Sequence, residues 1–204
     1  EIETSDEEAR AKMRVHGNAT RKLAKKSFQC EFLTQNEKHP ANSGFILSSQ
    51  YLDPSFCRYV LSTYLFRKAG IMTSEVQTVR LYFNGTYQGL YLRIERVDEN
   101  FLDRRGLPVA SMYEANVHTK LTYTNGALPQ NGFDKQLPDD DRCYADLAEL
   151  LHTIDIATES RSFDTLETIL DMDNVLRYYA TSRIIRHSDG GRNNFWLYFN
   201  PRIK

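Results

Sequence analysis

Alternating apolar and polar positions predict that the first part of the chain forms a sheet. Two strands joined by a turn are predicted over residues 13–32, because Phe28 and Cys30 alternate with polar neighbours. Side chains of equal parity share one face of a regular strand. Lys26 is therefore predicted to point towards the face that these residues bury, and Lys25 away from it.

A helix is predicted after a polar stretch at 35–49, which is taken as a loop. Asp53 is a suitable N-cap, Pro54 suits the first helical position, and Gly70 suits the C-terminal end. Apolar residues follow at the three-and-four spacing of one buried face. This predicted buried stripe contains Cys57, Val60, Leu61, Tyr64 and Leu65.

A β-hairpin is predicted next, from strands at 76–83 and 87–95. Asn84-Gly85 lies between the two alternating runs, and this dipeptide is the strongest short hairpin signal. Together with the first strand pair and the helix, the hairpin predicts one small antiparallel sheet with a helix on it.

The second half of the chain is predicted to be mainly helical. Residues 99–141 contain many Gly, Pro, Asn and Asp residues and are expected to be mainly loop, with a short strand near 121–124. Helical spacing then predicts helices at 142–153, at 163–170 and from an N-cap at Asp173.

The composition excludes some classes of partner. The 26 Lys and Arg residues nearly balance the 27 Asp and Glu residues, so no nucleic-acid partner is predicted. No apolar run approaches the roughly 20 residues of a membrane span. Because the chain begins without Met and stops at a predicted turn, it is expected to be a fragment of a longer protein.

Three widely separated cysteines argue against a zinc site or a disulfide scaffold. Cys30, Cys57 and Cys143 have no C-x-x-C spacing and are expected to be packed thiols.

The segment 187–194 carries the most informative chemistry. It follows a predicted amphipathic helix and precedes the strand-like run 195–199. Asp189 and Asn194 have the spacing of the kinase catalytic loop H-R-D-x-x-x-x-N, in which the Asp accepts the substrate hydroxyl proton and the Asn binds a metal ion. The same two residue types also form ordinary turns.

Four blocks of the sequence, in order, resemble the spore-coat protein H (CotH) kinase family. The blocks are Arg14-Val15-His16-Gly17-Asn18-Ala19-Thr20 with Lys25-Lys26-Ser27-Phe28; Asp53-Pro54-Ser55 with Arg58; Leu81 to Tyr91 with Glu95 and Val97-Asp98; and Asp171-Met172-Asp173-Asn174 with Ser188-Asp189 and Asn194 to Tyr198. The resemblance runs from about residue 14 to 199.

The resemblance implies an α+β, atypical protein-kinase-like fold with a small antiparallel-sheet N-lobe, one helix in it, and a mainly helical C-lobe. Residues 1–98 would be the nucleotide-binding N-lobe, 99–141 a connector and insert, and 142–204 the C-lobe with the catalytic loop. The family's second metal-binding Asp lies in a P-W-D-x-D segment expected beyond residue 204.

The resemblance also implies an activity. It is transfer of the γ-phosphate of ATP, with Mg²⁺ or Mn²⁺, to Ser or Thr of a surface or coat protein. The protein would accordingly be extracellular, at the cell surface or in the spore coat.

By the resemblance, the first block would bind the phosphates of ATP. Gly17, Asn18 and Thr20 would form a turn over them, and Lys26 or Lys25 would contact them, since backbone amides and a cation suit a triphosphate. Taken on their own, these residues fit an ordinary hairpin turn and a solvated strand end.

The later blocks would supply the remaining site residues. The backbone from Glu95 to Val97 would pair with the adenine edge and Asp98 would meet the ribose, although Asp98 also suits a helix N-cap. Asp189 would be the catalytic carboxylate and Asn194 the metal ligand, while His187 would support the loop.

One departure from ordinary kinases concerns the lysine. The predicted helix at 54–69 contains no acid, so Glu31 or Glu95 would have to pair with the phosphate lysine. Two functions therefore stay open: a kinase, and a non-catalytic surface adhesin or coat-assembly module with the same fold.

Overall fold

The computed structural model describes most of the chain, as two compact units. The described residues are 2–4, 7–33, 43–116, 119–123, 132–138, 143–188, 190 and 193–201. Unit 1 comprises 1–65 and 72–101, and unit 2 comprises 66–71 and 102–204. Antiparallel sheets and helices occur together, in agreement with the predicted mixed class.

Unit 1 is built on a five-stranded antiparallel sheet. A short hairpin of β1 (Ile2–Thr4) and β2 (Glu7–Ala9) precedes it. The strands of the large sheet are β3 (Ala11–His16), β4 (Ser27–Phe32), β5 (Gly44–Ser48), β6 (Val76–Phe83) and β7 (Thr86–Glu95). They lie in the order β3-β4-β5-β7-β6.

Strand β5 corrects the expectation of a polar loop over 35–49. Its Phe45 and Leu47 are each only 4% exposed, and they pack with Cys30 and Tyr91 in an apolar cluster on one face of the sheet. The run Phe45-Ile46-Leu47 is only three apolar residues long and shows no alternation, so it is too short to predict a strand, but pairing with β4 and β7 satisfies the backbone on both sides. Residues 34–42 of the predicted loop lie outside the described residues.

The expectation of packed thiols holds for one cysteine of three. Cys30 lies in the apolar cluster, where burial raises the pKa of its thiol to about 11. Cys57 and Cys143 are exposed, and all three are free thiols.

The predicted hairpin of β6 and β7 is confirmed. Asn84 and Gly85 both have positive φ, 49° and 78°, as the tight two-residue turn requires. A register shift near Leu81 makes room for one additional residue in β7, and Gly89 takes a φ of 102° at this bulge.

The helices are α1 (Cys57–Lys68), α2 (Glu99–Asp103), α3 (Ala145–Ser160) and α4 (Met172–Ile184). No helix among the described residues is long and apolar enough to cross a membrane.

Helix α1 ends as predicted, but it buries a different face. Gly70, at φ 83°, follows its last turn. The predicted stripe is wrong, since Leu61 and Tyr64 are 56% and 53% exposed. Phe66 is the buried residue, and its ring stacks on Tyr178 within unit 2 at 5.4 Å between centroids.

Unit 2 contains a three-stranded antiparallel sheet in the order β10-β8-β9. Its strands are β8 (Met112–Ala115), β9 (Phe133–Leu137) and β10 (Trp196–Tyr198). Strands β8 and β9 fall in the stretch that was predicted to be mainly loop, whereas the described residues 121–123 form no strand. The core of the unit is formed by Tyr113, Ala115, Phe133, Leu147 and Leu151.

The later helices differ from prediction in their bounds. Helix α3 continues to Ser160, well past the predicted end, and the segment 163–170 forms only a short 3-10 turn, Leu166–Thr168. The N-cap of α4 is Asp171, whose Oδ1 accepts a hydrogen bond from the Asn174 amide at 2.9 Å. Asp173, the predicted cap, is in the first turn of the helix.

Candidate active site

A glycine-dependent turn follows β3 in unit 1. The 3-10 helix Ala19–Lys22 begins directly after Asn18, which is exposed. Gly17 has a φ of 102°, and a Cβ there would collide with Oγ1 of Thr20. The structure therefore brings Gly17 and Thr20 together in one tight turn, which only glycine allows at position 17.

Lys26 holds this turn. Its Nζ donates hydrogen bonds to the carbonyl oxygens of Arg21 and Leu23, each at 2.7 Å. The prediction that Lys26 points towards the buried face of the sheet is wrong. Strand β4 begins only at Ser27, and the chain bends before it, so strand parity does not extend to Lys26.

Lys25 occupies the position that was predicted for its neighbour. Its Nζ donates to the carbonyl oxygens of Leu90, at 2.5 Å, and Ser49, at 3.2 Å. The ammonium also lies 4.2 Å from the centroid of the Tyr91 ring and 5.1 Å from that of Phe56. Partial burial lowers its pKa.

The Lys25 ammonium lies beside the bulge in β7. A Cβ at Gly89 would lie 3.5 Å from the Lys25 ammonium. The Tyr87, Gly89 and Tyr91 pattern of the third family block therefore supplies a bulge and an aromatic ring for the lysine. Sequence reasoning missed this contact, although the Y-x-G-x-Y pattern was the signal.

The segment 95–98 follows β7 as a structured connector. The Glu95 amide donates to the Glu75 carbonyl and Glu95 Oε2 accepts from the Glu75 amide, both at 2.9 Å. Asp98 Oδ1 accepts from the Phe101 amide at 3.1 Å, which confirms the alternative N-cap interpretation. Val97 is half-buried. Contacts of these residues with a nucleotide stay predictions.

The acids expected beside the phosphate lysine lie elsewhere. Glu31 Oε1 accepts from Gln29 Nε2 at 3.1 Å and lies 3.5 Å from an Arg14 nitrogen and 3.8 Å from an Arg96 nitrogen. Within the described residues, the Lys25 ammonium is held by carbonyl oxygens and aromatic rings instead.

The D-x-S-x-x-R block is a helix cap. Asp53, which is 8% exposed, accepts hydrogen bonds from Ser55 Oγ at 2.6 Å and from the Arg58 amide at 2.9 Å. The hydrogen bond from Ser55 is the main reason why the pKa of Asp53 is lowered. The block therefore initiates α1.

In unit 2, the candidate catalytic loop begins at the end of α4. The His187 amide donates to the Ser182 carbonyl at 2.8 Å, and Tyr178 Oη donates to the Gly190 carbonyl, also at 2.8 Å. A Cβ at Gly190 would lie 2.5 Å from His187 Nδ1. His187 thus packs against the loop, in agreement with the supporting role expected of it.

The structure describes only one of the two candidate catalytic residues. Asp189 lies outside the described residues. Asn194 is exposed, with φ 61°, and its backbone N–H donates to the Ala115 carbonyl at 3.0 Å. In the described part of the chain, no three His, Cys, Asp or Glu side chains form a group that would hold a metal ion.

The fold and these sites define a mixed α/β protein with a glycine-dependent turn in unit 1 and a helix–loop–strand segment in unit 2. A sequence profile described as CotH kinase protein matches residues 13–203. The chain belongs to the CotH family, which confirms the resemblance.

A curated relative provides a second comparison. The inner spore coat protein H of Bacillus subtilis (strain 168) is 25% identical over 190 residues, which cover 89% of this chain and 52% of that protein. The chain thus spans about half the length of this relative.

Proposed function

We propose that this protein is an atypical protein kinase that transfers the γ-phosphate of ATP to a Ser or Thr hydroxyl of a surface or coat protein. Membership of a family described as CotH kinase protein supports the reaction class. The name of the Bacillus subtilis relative supports a place in the spore coat.

The observation that carries the proposal is the glycine-dependent turn at 17–22 in unit 1. Gly17 and Thr20 form a tight turn whose shape is fixed by Lys26, and the Lys25 ammonium lies at the same end of the sheet. Exposed backbone amides in such a turn, together with nearby cations, form a concave site for phosphate groups. The two ammonium groups add positive charge at this end of the sheet, which favours phosphate binding.

The residues of unit 2 supply the transfer step in this proposal. Asp189 orients the acceptor hydroxyl and takes its proton as the oxygen attacks the γ-phosphorus, and ADP leaves. Asn194 has an exposed side chain with an amide oxygen, the donor type that Mg²⁺ takes. A bound Mg²⁺ or Mn²⁺ would neutralise charge on the phosphates.

Two measurements on the full-length protein test the proposal. ATP with Mg²⁺ or Mn²⁺ should raise the melting temperature, because a ligand that binds only the folded state stabilises it. γ-Labelled ATP should transfer label to a Ser-rich acceptor or to the protein itself. Stabilisation without transfer would support the non-catalytic adhesin or coat-assembly module instead. If ATP caused neither stabilisation nor transfer, nucleotide binding would be rejected.

A further inference from the structure

Helix α4 carries an apolar stripe that is exposed to solvent. Val175, Leu176 and Tyr179 lie within an arc of about 100° on the helix, the width of a face that packs against a core. We call these three residues the apolar stripe. Their exposed fractions are 40%, 59% and 60%, and Ile184, the last residue of the helix, is 79% exposed. The apolar spacing that predicts burial therefore occurs on an exposed face.

The face of α4 that packs within unit 2 is more polar than the stripe. Thr181 and Ser182 are buried. Tyr178 stacks on the Phe66 ring, and its hydroxyl donates to the Gly190 carbonyl. Because removal of apolar area from water is the main stabilising term in packing, a helix is not expected to bury a threonine and a serine while it exposes a leucine and a valine. The stripe therefore indicates a second packing partner for α4.

The charges along α4 change sign from its start to its end. Asp171 caps the first turn and Asp173 lies in it, whereas Arg183 and Arg186 lie at the last turn. The Arg183 guanidinium lies 6.0 Å from the centroid of the Tyr179 ring, so it borders the stripe. A segment that covers the stripe therefore fits best if it brings an acidic side chain to the end of the helix.

The later part of the same chain is the occupant that length and connection favour. The matched residues cover 52% of the Bacillus subtilis relative, so about half of a protein of that length lies outside them. Strand β10 pairs with β8 in unit 2, the unit that also contains α4. Chain that continues from β10 begins in the same unit, and this tether gives it a high effective concentration at the stripe. A second copy or a separate protein has no such advantage.

We propose that the segment that follows residue 204 in the full-length protein packs on the apolar stripe of α4. Its apolar side chains cover Leu176 and Tyr179, and it places a carboxylate near Arg183. The same segment holds the helix from which the candidate loop at 187–194 begins. This inference does not depend on phosphoryl transfer, and it applies equally to a kinase and to a non-catalytic module.

The first test measures how accessible the stripe is in the full-length protein. Leu176→Cys is compared with Glu149→Cys, at an exposed charged position of α3 in the same unit. A thiol reagent is added to the folded variants, and mass spectrometry of the peptides separates the new thiol from the exposed Cys57 and Cys143. The thiol at position 176 should react about tenfold or more slowly than the one at 149, because it becomes accessible only when the segment opens.

This protection should be the same at all protein concentrations, and melting temperatures check that both variants fold. Protection that is lost on dilution would assign the stripe to a second copy. Reaction of both thiols at equal rates would mean that the stripe stays open. Either result would overturn the proposal.

A photo-crosslink identifies the covering segment and does not require the cysteine variants. The full-length Tyr179→p-benzoylphenylalanine variant is irradiated, and the cross-linked peptides are located by mass spectrometry. A mixture of isotopically light and heavy protein distinguishes links within one molecule from links between two. The expected product joins position 179 to a peptide beyond residue 204 of the same molecule. Links only to residues 1–204, links to a second molecule, or no link at all would contradict the assignment.

Discussion

Two neighbouring lysines in the first family block have different structural roles. Lys26 stabilises the turn at 17–22 through two carbonyl oxygens of that turn. Lys25 joins the end of β5 to the middle of β7 and lies over the Tyr91 ring. One lysine therefore fixes the shape of the candidate phosphate site, and the other stabilises the sheet behind it.

These contacts predict that Lys25→Ala destabilises the protein more than Lys26→Ala does. Lys25→Ala removes two hydrogen bonds and contacts with two aromatic rings, which together should lower the free energy of unfolding by about 1–3 kcal/mol. Lys26→Ala removes only two local hydrogen bonds. The free energies of unfolding in urea measure the difference. Equal losses, or a larger loss for Lys26→Ala, would contradict these roles.

Matching a family motif does not by itself make a residue a ligand. Asp53 and Asp98 both belong to blocks that resemble the family, and both use a carboxylate oxygen to cap a helix. Asp98 Oδ2 also lies near Arg96. A ribose contact by Asp98 would have to coexist with its N-cap hydrogen bond.

At the scale of elements, α3 and α4 end in the same strained way. Arg161 and Arg186 both have a φ of 53°, the left-handed conformation that usually requires glycine after a helix. In each case the next amide donates back to the helix, from Ser162 to Ala157 and from His187 to Ser182. The end of α4 sets the direction in which the candidate catalytic loop begins.

We expect Arg161→Gly and Arg186→Gly each to stabilise the protein by about 0.5–1 kcal/mol, because glycine adopts this conformation without strain. Both arginines are exposed, so the two variants are matched controls for each other. Thermal unfolding measures the gain. A loss of stability in Arg186→Gly alone would mean that its side chain makes a contact that stabilises the loop.

A pair of acids lies between neighbouring strands of unit 2. Glu114 in β8 is directly opposite Asp134 in β9, and Glu114 Oε2 accepts from Gln136 Nε2 at 3.3 Å. Burial, and then the Asp134 charge, raise the pKa of Glu114. The folded protein therefore holds the Glu114 proton to higher pH than the unfolded chain does.

This shift predicts a loss of stability with rising pH. Stability should fall as the pH rises from the ordinary glutamate value near 4.5 to the raised pKa of folded Glu114, because the folded state binds more protons there. Glu114→Gln should remove that part of the pH dependence, whereas Glu149→Gln, at an exposed position of α3, should keep it. Unfolding free energies between pH 4 and 8 measure both variants. The same pH dependence in Glu114→Gln and wild type would contradict the assignment.

Elements with strong local signals could be predicted from sequence. The Asn84-Gly85 hairpin and the helix–loop–strand order before β10 are examples. Strand β9 was missed because Lys135 occupies one of its buried positions, where its Nζ donates to the Cys143 carbonyl at 2.5 Å. A lysine in the middle of a short segment usually marks a loop or an exposed position, so the sequence pattern alone does not indicate a strand here.

The candidate site could be predicted only where its contacts are local. The turn of Gly17 and Thr20 lies within one short segment, and the sequence was sufficient to predict it. The partners of Lys25 come from Ser49 and Leu90, far away in sequence, and only the sheet brings them together. Lys26 does not follow the parity of β4, because the chain bends before Ser27 and no sequence signal marks that bend.

At the scale of the whole molecule, the claim of kinase activity depends on both units. The turn at 17–22 and the connector at 95–98 belong to unit 1, and the candidate loop from His187 to Asn194 belongs to unit 2. In the proposed function, the first set would bind the nucleotide and the second set would carry out the transfer. A protein that keeps only the first set would bind ATP and transfer nothing.

A transfer assay on the Asp189→Asn variant of the full-length protein, with labelled ATP and Mg²⁺ or Mn²⁺, tests this claim most directly. The substitution keeps the side-chain shape and removes the charge that is proposed to orient the hydroxyl, so transfer should fall about 10²–10⁴-fold while stabilisation by ATP persists. Asp164→Asn, at an exposed position of unit 2, should transfer phosphate like the wild type. Wild-type transfer by Asp189→Asn, or no transfer by the wild type with either metal, would contradict the account.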